Sequence, residues 1–275
     1  MSGKRMRKHL IISSLALVTL FVLVAVGKGQ QRPQPQTRTQ QDPVPLPPKT
    51  GRPAPRRDIS GVWLGQVAFQ PQPPPPLTKL GQQLFDTAKP LNGPRAVAVA
   101  NSNDPMVTCD PLGFPRSIFF ELRAFEFEQT KSKMIQLLQY QRIWREIWTD
   151  GRKLPTNVGA EGDSPDPRYY GYSIGRWADD YTFVVESTGF TENSWADQQA
   201  HPRSMNAHIE ERYQRIDYDT MEITLTIDDP KMYTKPWLGL NKQMVYWHPK
   251  QEFEEQMCVP SDALEYLSIV RPAAK

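Results

Sequence analysis

The chain has 275 residues, a formal net charge of +3, 39% hydrophobic residues and two cysteines. Part of the positive charge sits in the N-terminal run and in "GRPAPRR"; what remains is near neutral and has no basic stripe interleaved with aromatics, which argues against nucleic acid as a partner. Two cysteines without paired histidines exclude a closed zinc site, which takes four nitrogen or sulfur ligands, and no metal or cofactor signature is expected elsewhere.

At the N-terminus, Lys4, Arg5, Arg7 and Lys8 precede an apolar run from Leu10 to Val26, and Ala25-Val26-Gly27 offers small residues for cleavage. This layout predicts a signal peptide or N-terminal anchor over residues 1–27, export to the periplasm or beyond, and membrane contact through this segment alone. Export into an oxidising compartment makes Cys109 and Cys258 an expected disulfide. Residues 28–57 are rich in Pro, Gln and Arg and bury too little apolar surface to offset ordering entropy, so they read as a disordered linker.

A single domain is expected over 58–275. "DISGVWLGQVAF" (58–69) reads as a first strand, cut short by "PQPPPP". "LTKLGQQLFDTAKP" (77–90) places Leu77, Leu80, Leu84, Phe85 and Ala88 on one helical face, and residues 91–115 are turn chemistry. After Pro115 come short runs of aromatic and β-branched residues: "RSIFFELRAFEFEQ", "KMIQLLQYQ", "RIWREIW", "GYSIGRW", "YTFVVEST", "AHIEERYQRID", "MEITLTID" and "WLGLNKQMVYW". "TDGR" (149–152), "ADD" (178–180) and "DYDT" (217–220) read as tight turns between them, and Ser261 as the cap of a final short helix. The fold class is therefore mainly β: an antiparallel barrel of about eight to ten strands with two short flanking helices.

Several blocks, "CDPLGFPR", "WREIWTDGR", "GYSIGRW", "ERYQRID" and "TIDDPKMYTKPW", resemble those of a large uncharacterised family of exported bacterial proteins that carry them in this order over about residues 77–265. Gly61-Val62-Trp63 further resembles the first-strand Gly-x-Trp of lipocalin-like barrels. That second resemblance implies an interior that holds a small apolar molecule.

Two sets of candidate residues follow. For ligand binding, the strand-borne aromatics Trp144, Trp148, Tyr172, Trp177, Tyr213 and Tyr233 are expected to line the interior, with Arg176, Glu186 and Glu211 as polar contacts. Arg176 and Glu186 are natural cross-hairpin partners. For acid–base chemistry, "AHPRSMNAHIEER" (200–212) supplies His201 and His208, with Glu211 or Asp229 of "TIDDP" assisting. Strand alternation puts His208, Glu210 and Arg212 on one face and Ile209, Glu211 and Tyr213 on the other. No nucleophile elbow or phosphate loop occurs. The leading expectation is an exported protein of the cell envelope that binds a small apolar molecule; the alternative is a periplasmic hydrolase or lyase.

Overall fold

A computed structural model describes residues 43–69, 71–119 and 123–271. The predicted export or anchor segment and the first part of the linker lie outside them. Nine strands close into one barrel in chain order: β1 (Gly61–Leu64), β2 (Phe125–Gln129), β3 (Lys133–Leu138), β4 (Ile143–Trp148), β5 (Tyr172–Trp177), β6 (Thr182–Thr188), β7 (His208–Arg215), β8 (Thr220–Asp228) and β9 (Trp237–Trp247). Trp63 pairs with Trp247 and Leu64 with Tyr246 to complete the ring. The helices are α1 (Lys79–Thr87), α2 (Arg116–Phe119) and α3 (Pro260–Val270).

Strand number dictates the one irregularity in this wall. Around a closed ring, strand direction can alternate throughout only if the count is even. With nine, one neighbouring pair must run the same way, and that pair is β4 and β5, joined through just two register pairs, Ile147 with Ser173 and Trp148 with Ile174. Every other neighbouring pair is antiparallel. A parallel pair cannot be closed by a tight turn, so residues 149–171 carry the chain back along the wall. "TDGR" opens this return; the hairpin expected there is replaced by it, while "ADD" and "DYDT" do join antiparallel neighbours.

Alternation along the strands fills the lumen with side chains. β7 turns Ile209, Glu211, Tyr213 and Arg215 inward, and β8 turns Ile223, Leu225 and Ile227 to meet them. Phe127 stands edge-on to Tyr213 with ring centroids 4.9 Å apart. Gly175 on β5 lets Phe183 and Ile147 fill the space its side chain would take. One end of the barrel is plugged by Phe114, Ile118 and Phe119, the last packing 6.2 Å from Trp237. Here "RSIF", expected to begin a strand, forms α2, and Arg116 makes a buried fork with Asp104 (2.8 and 2.6 Å). The Cys109–Cys258 disulfide ties α3 to this end. Pro260 opens α3 and no side chain caps it; Ser261 lies within the helix.

The described part of the linker is ordered against the opposite end. Val44 N–H donates to Gln66 O (2.9 Å), and Thr50 donates twice to buried Asp219, through N–H (2.6 Å) and Oγ (2.8 Å). The Arg52 guanidinium lies over the Tyr218 ring (3.7 Å), and Arg57 N–H donates to Asp180 O (2.6 Å). Composition foretells chain with no core of its own; it does not foretell that the β5–β6 and β7–β8 turns carry acids and an aromatic that hold it.

Candidate functional site

Inside the lumen one polar cluster, centred on Arg145, is paired within itself. Arg145 on β4 donates from Nε to Ser173 Oγ (3.0 Å), from Nη1 to Gln136 Oε1 (3.1 Å) and Glu211 Oε2 (3.0 Å), and from Nη2 to Ser187 Oγ and Glu211 Oε1 (both 2.6 Å). All five guanidinium N–H groups are used. Tyr213 OH donates to Glu211 Oε2 (2.6 Å), and Phe114 lies 4.0 Å from the guanidinium carbon. Burial opposes the charge on Arg145, but Glu211 outweighs it and holds the guanidinium above its ordinary value. Burial and the neighbouring Glu211 charge both push the Tyr213 phenol well up. With every guanidinium N–H engaged, this cluster braces the wall.

The four acid–base candidates are not brought together. His201 pairs with Asp197, four residues earlier (Nδ1 to Oδ2, 2.7 Å), and its ring stacks on Phe85 at 4.9 Å beside Trp237 at 5.5 Å. Asp229 accepts from the N–H (2.7 Å) and Oγ (2.8 Å) of Ser204, tying the loop before β7 to the end of β8. Glu211 belongs to the lumen. His208 lies on the outer face, 3.7 Å from Glu186. Glu186 also meets Arg176 at 3.7 Å, the expected cross-hairpin pair, but on the outside of the barrel, with Arg176 largely exposed. Among the described residues no three His, Cys, Asp or Glu side chains converge to hold a metal ion.

The aromatic candidates divide. Tyr213 and Tyr233 are buried; Tyr233 OH donates to Pro202 O (2.8 Å), and burial pushes its phenol well up. Trp177 packs on Phe183 at 5.2 Å. Trp144, Trp148 and Tyr172 face outward, because Arg145, Ile147 and Ser173 alternate with them and point into the lumen. Trp144 is 65% exposed.

These three rings lie along the parallel seam. N-terminal to Ile147 and Ser173 the ladder stops, and β4 parts from residues 168–172, leaving a cleft of about 580 Å³. That lies within the roughly 300–1,000 Å³ of small-molecule sites. Trp144, Trp148 and Ile174 line one side; Leu154 and Pro155 of the return loop and Tyr169 line others; Arg145 and Ser173 form the floor. Cations sit on the rings: Arg152 is 3.5 Å from the centre of Trp148, with Lys133 at 4.9 Å, and Arg168 is 4.2 Å from the centre of Tyr172. By contrast, the recess beside Phe125 and Leu138 is about 10 Å³, room for one water at most.

No family model, curated protein or solved structure matches this chain. The residues that sequence reasoning missed are Arg145 in the lumen and Arg152, Lys153 and Arg168 at the cleft. "TDGRK" and "DPRYY" flank the return loop and put basic residues beside aromatics, a signal legible only once that loop is known to be folded against β4.

Proposed function

We propose that this chain is a small-molecule binding protein of the cell envelope that takes its ligand in the wall cleft between β4 and β5 rather than in the lumen. The observation that carries this reading is Trp144. A large aromatic left 65% exposed on the rim of a recess already lined by Trp148, Tyr169 and Tyr172 forfeits burial that would favour the folded chain by about 1–2 kcal/mol. A planar ligand laid on the indole recovers it. Binding is favoured over turnover because the acid–base candidates are engaged elsewhere, His201 with Asp197 and Glu211 with Arg145. Export rests on the basic and apolar N-terminal layout, and the Cys109–Cys258 disulfide fits an oxidising compartment.

The test is titration of the purified chain with planar aromatic probes, followed by tryptophan fluorescence and calorimetry. Saturable quenching that disappears in Trp144→Ala is expected. Flat titrations across the panel, or quenching that survives the substitution, would overturn the reading.

A further inference from the structure

Resting on the cleft as the binding site, we infer that its ligand is a planar aromatic monoanion, such as an aryl carboxylate, whose ring lies on Trp144 and whose charge is met by Lys153 and Arg168.

The inference comes from a count of the charges around the cleft. Of the acids around it, Glu146 is neutralised by Lys133 and Asp150 by Arg152 through a fork of 2.9 and 2.6 Å, while Asp110, beside Pro111 and close enough to raise the Tyr169 phenol, adds one negative charge. Arg145 on the floor spends every donor inside the lumen. That leaves Lys153 and Arg168, both lining the cleft and neither with an acidic partner among the described residues. These two cations against the single charge of Asp110 leave the recess net positive, which an anion complements. Arg168 is held over Tyr172, so its planar fork is oriented before any ligand arrives and loses less freedom on pairing with a carboxylate.

The distribution of ring faces points the same way. Trp148 and Tyr172 already carry guanidinium groups, whereas no cation lies over Trp144 among the described residues. A neutral ring thus stacks best on Trp144, and the anionic end of the same molecule points toward residues 153 and 168. Two cations suit a single carboxylate or sulfonate better than a polyphosphate, which recruits larger basic clusters. A neutral sugar is disfavoured, because the two carboxylates at the β4 edge that would accept from its hydroxyls, Glu146 and Asp150, are committed to Lys133 and Arg152.

Calorimetric titration of the purified full chain with 2-naphthoate and its neutral isostere 2-naphthamide tests the assignment. Naphthoate is expected to bind roughly five- to tenfold more tightly at low ionic strength. The advantage should shrink in roughly 0.5 M salt and vanish in the Lys153→Gln, Arg168→Gln double variant, in which the two compounds should bind equally. Equal affinity for the two compounds in the parent chain, or an advantage that persists in the double variant, overturns the anionic assignment; if the amide then still binds in a Trp144-dependent way, the cleft remains the site. If neither compound binds, the cleft reading fails and the ligand class falls with it.

Discussion

Arg145 on β4 and Glu211 on β7 meet inside the barrel through two parallel hydrogen bonds of 3.0 and 2.6 Å, both side chains shut off from water. Each charge is tolerated there only because the other is present, since an uncompensated ion in a dry interior is far costlier than a matched pair. Arg145→Met or Glu211→Leu alone is expected to lower the unfolding free energy by about 3–5 kcal/mol. The double substitution should cost clearly less than the sum of the two. Urea unfolding of the four proteins measures this, and additive losses would show that the pair is not coupled.

Gly175 is filled in by its neighbours rather than merely flexible. A methyl group there would lie 2.4 Å from Phe183 Cζ and 2.8 Å from Ile147 Cγ2, both within the core. Gly175→Ala is therefore expected to destabilise the barrel by about 1–3 kcal/mol through overpacking. A compensating Phe183→Leu in the same chain should restore part of the loss in a thermal melt.

Alkaline pH should unfold the protein through its buried phenols. Burial raises Tyr170, Tyr213 and Tyr233 above the ordinary value of 10.0, so the folded state retains protons that the unfolded chain releases. The stability linked to these groups is fully present below pH 10 and is lost as pH climbs beyond it. Urea midpoints should fall between about pH 10 and 11.5, less steeply in Tyr213→Phe than in the parent. Absorbance near 295 nm reports the phenolates directly, and early ionisation of all tyrosines in the folded protein would contradict the expectation.

The linker strap hangs on one buried carboxylate. Asp219 takes both donors of Thr50, and among the described residues of the strap no other is held by a buried carboxylate in this way. Asp219→Ala should release the chain around Lys49 and speed tryptic cleavage after it several-fold, with little change in the barrel's circular dichroism. Unchanged cleavage would mean that the Arg52–Tyr218 and Arg57–Asp180 contacts suffice to hold it.

Much of the architecture was legible from sequence because period-two patterning and turn chemistry act locally. The runs from "KMIQLL" to "WLGLNKQMVYW" became strands, α1 lies within the predicted helical stretch, and the two cysteines are bonded. The facing of β4 was not legible. "IWREIW" offers Ile143, Arg145 and Ile147 on one side and Trp144, Glu146 and Trp148 on the other, two apolar residues and one charge either way. Composition favours burying the indoles; what reverses it is Glu211, distant in sequence, which gives Arg145 a partner inside. His201 misled for the complementary reason. Histidine beside a loop suggests chemistry, yet Asp197 and Phe85 enclose it, and neither contact shows in a local pattern. The hold of the described linker residues on the barrel was not legible, because most of it comes from Asp180, Tyr218 and Asp219, far along the chain.

The odd number of staves in this barrel has an evolutionary corollary. A descendant that deleted or duplicated a single strand could alternate direction all the way round, its return segment would shorten to a tight bend, and the recess beside Trp144 would zip shut. The recess and the strand arithmetic are thus inherited together, and gain or loss of one strand would erase it at a stroke.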